Sequence, residues 1–298
     1  MQLPLHNRYS FSAISRRPKY DWPGAKRLAV YVAVNVEHYA FGQGPGHLLG
    51  AEGVSPDHRN YCWRDYGNRV GVWRLLELLD ELELPGTHLI NSAVYDYYPE
   101  IPSAVRARGD EVIAHGRTNS ERQGSLMEDD EMRLIAEATE TITRHEQGRR
   151  PRGWMGPWMS QSRTTPDLLK EAGYSFLMDW PCDDQPIWLQ TRSGRLLSVP
   201  YPLELNDSPQ ILIQHHSATA FAEMIMNQFE EMLRQSHNQP LVCGIALHTM
   251  IFGQPHRLRV LREVLSRIAS HPEREAVWFT RPSEIADHVT GMADGIVA

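Results

Sequence analysis

RLAVYVAVNV, residues 27–36, followed at once by Glu37 and His38, is the stretch on which the fold turns. It is short, Val-rich and apolar without alternation. A strand buried on both faces has that composition, whereas a helix of useful length needs more residues and a 3.6-residue stripe. Two-sided burial belongs to a parallel sheet covered by helices, and a carboxylate and an imidazole directly after such a strand stand where α/β barrels gather their chemistry.

Working outward, the α-then-β step repeats. Val70, Trp73, Leu76, Leu79 and Leu82 form a helical stripe between Gly67 and Leu84, Pro85-Gly86 ends it, and THLIN (87–91) reads as a strand. A helix near 103–108, the strand DEVIAHG (110–116), a helix over 129–147 and a short strand at 152–155 follow. A helix over 165–172 stops at Gly173 before YSFLMDW (174–180). GRLLSVPYP (194–202) and Ile211 to Gln214 read as strands and 218–235 as a helix. The strand LVCGIAL (241–247), a helix over 255–270, the strand AVWFT (276–280) and a helix over 282–289 close the pattern. About seven or eight strands alternating with helices, without a composition break and without Rossmann or P-loop fingerprints, predict one α/β domain over residues 27–298, a closed or nearly closed barrel of parallel strands covered by helices. Residues 1–26 form an N-terminal arm too apolar for a mere tail, expected to pack on this or a neighbouring subunit, with a homo-oligomer as the expected assembly.

Composition narrows the function. The 298 residues are 41% hydrophobic and 22% charged, ordinary for a packed protein. Thirty Lys+Arg against thirty-seven Asp+Glu give a net charge of −7, unsuited to a broad phosphate-binding surface, so no nucleic-acid partner is expected. Cys62, Cys182 and Cys243 lie far apart and are odd in number, which removes a disulfide framework and fits a reducing, cytoplasmic setting. No apolar window of about 18 residues calls for a membrane. The polar segment from Glu37 to Asn60 reads as an active-site loop; its GQGPG stretch has no GxGxxG phase and is not read as a phosphate loop.

Five strand ends carry polar groups: Asn35 to His38, His115 to Asn119, Trp154 to Gly156, Asp179, and His248. A carboxylate on one strand and a histidine on another are the parts of general acid–base hydrolysis, and a divalent metal bound by Glu37, His38, His115 and Asn119 would lower the pKa of water to about 7.

These residues resemble the polysaccharide deacetylase superfamily, whose domain is an irregular (β/α)7-type barrel, and the likeness runs over roughly 27–289. The family's Asp-Asp pair is matched by Glu37-His38, its His-(Ser/Thr)-x-x-His by His115 with Asn119, its Arg-containing third motif by Arg152 to Pro157, and its Leu-His by Leu247-His248. The variant pattern is most similar to the allantoinase-like and cyclic imide hydrolase branch. Its segments read here as Asn35-Val36-Glu37, His115-Gly116, Asp183 to Pro186, Pro200-Tyr201 with Glu204, Asn206 and Asp207, and His248 through Gly253, Pro255 and Arg257. The resemblance implies a hydrolase that opens a small cyclic amide, imide, ureide or lactone by base-assisted attack of water on a ring carbonyl. The alternative is a metal-dependent deacetylase of an N-acylated sugar or small N-acyl substrate; a degenerate, non-enzymatic barrel is the third reading. Glu37 is assigned as base and His248 as acid or orienting group. His38, His115 and Asn119 are the ligands of one divalent metal, zinc or manganese, with a metal-independent mechanism left open. Arg152, Trp154, Trp180, Glu204, Asn206 and Arg257 are assigned to substrate binding, with Trp158 as a further wall.

Overall fold

A computed structural model describes residues 5–43 and 56–298, so part of the segment read as an active-site loop, including the last three residues of its GQGPG stretch, lies outside the described residues. In chain order the elements are β1 (Leu28–Val36), α1 (His58–Tyr66), α2 (Val72–Glu81), β2 (Gly86–Ile90), α3 (Ala93–Tyr97), α4 (Glu100–Ala107), β3 (Glu111–Ala114), α5 (Glu128–His145) and β4 (Gly153–Trp154). Then come α6 (Thr165–Glu171), β5 (Phe176–Leu177), β6 (Ile187–Thr191), β7 (Gly194–Ser198), α7 (Ala218–Gln235), β8 (Leu241–His248), α8 (Thr249–Phe252), α9 (Pro255–Ala269), β9 (Val277–Phe279) and α10 (Pro282–Thr290).

The strands form one sheet in the order β6-β7-β5-β4-β3-β2-β1-β8, with β9 on β1. From β7 to β8 every neighbour is parallel, seven strands in all, and only the β6–β7 hairpin is antiparallel. Among the described residues no ladder joins the two edges. The chain after β7 crosses the gap instead: Val199 N–H donates to Leu177 at 2.9 Å, and Leu205 then accepts from Ala246 N–H at 2.9 Å on the free flank of β8. The result is a single α/β domain, an irregular barrel closed by irregular backbone.

Side chains along β1 alternate. Leu28, Val30, Val32, Val34 and Val36 pack toward the helices, while Ala29, Tyr31 and Ala33 face the barrel interior with Leu89, Ile113, Phe176 and Tyr201. Gly244 on β8 makes room for Tyr31, whose Oη would lie 2.6 Å from a Cβ there and which donates to the Pro200 carbonyl at 2.6 Å. Register aligns the strand ends: Asn35 lies opposite His248 and Leu89, and Ala114 lies opposite Ile90 and Trp154. The residues that follow therefore emerge at one rim.

One sequence reading needs correction. Ile211 to Gln214 is no strand but part of a π-helical turn, Ser208–Ile213. The free flank of β8 is already occupied at Leu205 and Asn206, and Pro209 in the first turn costs no hydrogen bond there. His215 and His216 therefore follow a helical turn and are exposed. The hairpin strand β6 and the helix α1 were not read from the sequence. The arm lies on its own barrel: Arg8 grips Asp167 at 2.8 and 2.6 Å, Arg17 grips Asp183 at 2.7 and 2.5 Å, and Trp22 is buried with its indole N–H on the Leu241 carbonyl at 3.2 Å. Among the described residues no helix is long and apolar enough to cross a membrane.

Candidate active site

The inward phase of β1, Ala29-Tyr31-Ala33-Asn35, carries on past the strand end and points Glu37 into the barrel mouth. Its Oε2 accepts from the Tyr39 hydroxyl at 2.5 Å and its Oε1 from Asn119 Nδ2 at 2.5 Å. Two imidazoles face the same Oε1: His248 Nε2 at 3.5 Å and His115 Nε2 at 3.7 Å. All five side chains are buried. Behind them Asn91 ties three loops together, its Oδ1 accepting from His38 N–H at 2.8 Å and its Nδ2 donating to the His115 carbonyl and to Asn119 Oδ1 at 3.0 Å.

His248 is held by Asp207, whose Oδ1 lies 2.6 Å from Nδ1 and whose Oδ2 accepts from the His248 backbone N–H at 2.8 Å. That contact puts a proton on Nδ1 and turns Nε2 toward Glu37. Burial alone would lower the His248 pKa, but the charges of Asp207 and Glu37 outweigh it and push the imidazole up to about 10. Burial raises Asp207, with the imidazolium pulling the other way. Flanked by Asp207 and Glu37, the His248 imidazole keeps its proton well above the usual histidine range. His115 differs: its Nδ1 sits 2.6 Å from the Met155 carbonyl, which can only accept, so the ring donates there and offers Nε2 toward Glu37.

His38 stacks on Tyr97 with centroids 4.4 Å apart and planes 16° from parallel, and burial lowers its pKa. The Arg64 guanidinium lies 4.4 Å over the Tyr39 ring. Trp158 adopts φ +65°, a region unfavourable to a bulky side chain, and its indole N–H donates to the Asn119 carbonyl at 2.9 Å. A buried carboxylate facing a protonated imidazole has the parts of a general base and a general acid within one small volume.

The residues at the family's metal positions do not fit a metal ion as they stand. Asn119 turns its amide nitrogen to Glu37 and its oxygen to Asn91, and among the described residues no group of three His, Cys, Asp or Glu side chains is disposed around a common point for a cation.

Of the residues read as substrate-binding, the structure brings Arg257 close to Asp207 and leaves the rest apart from the cluster. Arg152 precedes β4 at the far end of the sheet and pairs with Asp287 of α10. Trp154 is off the inward phase of β4, fully buried among the helices and edge-on to Tyr174. Trp180 is covered by the arm, edge-on to His6 and Tyr9, with its indole N–H on Gln161. Glu204 is exposed and accepts from Gln210 beside a cavity of about 500 Å³. Asn206 caps the following turn through Ser208 N–H, which leaves its neighbour Asp207 to reach His248. Sequence reasoning gave no role to Asp207, Tyr39 or Asn91. Asp207 was visible only as the last letter of the segment containing Glu204 and Asn206.

Residues 57–177 match the polysaccharide deacetylase family model. A Schizosaccharomyces pombe protein that carries a provisional polysaccharide deacetylase name is 26% identical over 295 residues, covering 89% of this chain and 91% of its own. The crystal structure of PuuE allantoinase is 28% identical, with a TM-score of 0.80 over 94% of this chain and 97% of its own. A Pseudomonas aeruginosa PAO1 structure described as a probable polysaccharide deacetylase is 27% identical, with a TM-score of 0.79 over 90% and 92%. Domain match, relatives and solved structures agree with the barrel: over most of its length the chain is similar to proteins of the polysaccharide deacetylase superfamily and shares the fold of these structures.

Proposed function

We propose that this hydrolase of carbon–nitrogen bonds opens a small cyclic amide, imide or ureide, with the corresponding lactone as an oxygen analogue. The observation that carries the reading is the 3.5 Å approach of His248 Nε2 to Glu37 Oε1, with Asp207 fixing the far side of the imidazole. Glu37, steadied by Tyr39 and Asn119, takes a proton from water as the water oxygen bonds to the ring carbonyl carbon. The charge that develops on the carbonyl oxygen is offset by the nearby imidazolium. His248 then gives its Nε2 proton to the ring nitrogen as the C–N bond breaks, and the proton on Glu37 restores the imidazolium. Water is thereby divided into the hydroxyl of a new carboxylic acid and the hydrogen of a freed amine or amide.

The similarity to an allantoinase supports the ring substrate, as do His38 and Asn119 at positions where the wider family keeps Asp and His. The family match and the deacetylase names of other relatives favour the second reading, removal of an acetyl group from an N-acylated sugar. One experiment separates them: purified protein, before and after chelation, is offered hydantoins, imides, ureides and lactones beside N-acetylglucosamine oligomers. Ring opening that survives chelation is expected. Acetate release that needs added metal, with every ring left intact, would overturn the proposal.

A further inference from the structure

The arginines of this chain divide into two kinds. Arg8, Arg17 and Arg108, each largely removed from solvent, hold carboxylates in ion pairs: Asp167, Asp183 and Asp110 respectively. That is the rule for buried guanidinium groups, because a charge taken out of water without a counter-charge is costly. Arg257 breaks it. It stands in the first turn of α9, half-buried, and burial lowers its pKa. Its side-chain hydrogen bond is a long one, from Nη1 to the Ile251 carbonyl at 3.4 Å, and among the described residues no carboxylate lies in ion-pair reach. The acid whose charge it feels is Asp207, and both Asp207 oxygens are engaged by His248. Among the described residues, this half-buried planar fork beside the His248–Asp207 pair has no anion of its own.

We propose that the substrate supplies it: the ring hydrolysed at Glu37 and His248 carries a carboxylate, which binds the Arg257 guanidinium while the ring carbonyl sits at the imidazolium. The inference rests on the ring-opening reading and narrows its substrate class to anionic cyclic amides, imides or ureides. A fork matched to a planar carboxylate by two hydrogen bonds also fixes the in-plane rotation of the ring, and so which carbonyl meets the water.

Two measurements test it. Hydantoin and its 5-carboxymethyl derivative differ by one carboxylate. The wild-type protein is expected to prefer the carboxylated ring by about 10- to 100-fold in kcat/KM, the range of one charge-assisted contact. Arg257→Gln is expected to erase that preference, chiefly through KM, and Arg257→Lys to restore part of it. Equal losses on both rings, or a wild-type preference for the neutral ring, would overturn the assignment. The second measurement needs no turnover: titration calorimetry of succinate into Glu37→Gln, with and without Arg257→Gln. Succinate binding that disappears with Arg257 supports the anion subsite even if no ring is opened, in which case the ring-opening reading fails alone. Binding that is absent, or indifferent to Arg257, sinks the subsite whatever the ring assays show.

Discussion

Two buried histidine–aspartate pairs sit at opposite ends of the same sheet. At the N-terminal end His88 Nε2 lies 2.9 Å from Asp110; at the C-terminal end His248 Nδ1 lies 2.6 Å from Asp207. What surrounds them differs. Asp110 also accepts from Arg108 at 2.7 Å and from Gly86 N–H at 2.9 Å. Burial alone would raise its pKa, but His88, Arg108 and that N–H outweigh it and hold the carboxyl far below its usual range. Asp207 has no arginine in ion-pair contact, its pKa is raised, and the imidazole it holds faces a second carboxylate. The first pair is closed on itself and can only stabilise. The second keeps a proton-bearing nitrogen turned toward another titrating group. Chemistry here follows from what the pair lacks, not from the pair.

The strongest way to break the comparison is at Glu37. Glu37→Gln, nearly isosteric and still able to meet Tyr39, should lower kcat on the best ring substrate about 1000-fold while the thermal midpoint stays near wild type; a loss within tenfold would remove the base. Next comes Asp207→Asn, expected to cost about 100-fold in kcat and to move the alkaline limb of the pH–rate profile. With Asp207 and Glu37 present, His248 holds its proton until pH approaches about 10, and activity that needs the imidazolium falls only there. Without Asp207 the fall should begin nearer an ordinary histidine value of about 6.5; an unmoved limb would show that His248 is not the acid. Asp110→Asn should do the reverse, losing about 3 kcal/mol in urea unfolding while kcat per folded molecule holds. Since folding depresses the Asp110 pKa, its stabilisation is complete above about pH 4 and is lost as pH falls toward the folded value, so the gap between the two proteins should close on acidification. Smallest is Arg152→Gln: its pair with Asp287 is solvent-exposed on both sides, so stability should change by less than about 1 kcal/mol and kcat/KM by less than twofold.

Much of the fold was legible because β1, β8 and the long helices carry unbroken apolar runs or clear 3.6-residue stripes. The rim was legible too, as polar letters just after those strands, and the structure brings Glu37, His115, Asn119 and His248 within reach of one another. What escaped was phase and depth. Arg152 precedes and Trp154 ends a two-residue strand, and only the observed pairing shows that one lies below it and the other faces outward. In the segment after β7, Glu204, Asn206 and Asp207 are equally polar, and which of them meets His248 depends on where irregular backbone joins the flank of β8. No periodicity encodes that junction. The Ile211–Gln214 misreading has the same origin: a short apolar run becomes a strand only where a flank is free to receive it.

The ladder between β1 and β8 has a consequence for how the protein is made. Its partners, Leu28 with Leu241 through Asn35 with His248, come from opposite ends of the chain. A ribosome therefore delivers β1 early and must translate most of the remainder before the neighbour for its outer flank exists. During that interval a nine-residue apolar strand has one edge unpaired, the situation that favours sticking to other chains. Refolding yield should accordingly fall as protein concentration rises, and Glu37 and His248, the proposed base and acid, each tied to one of these two strands, come together only when that late pairing is made.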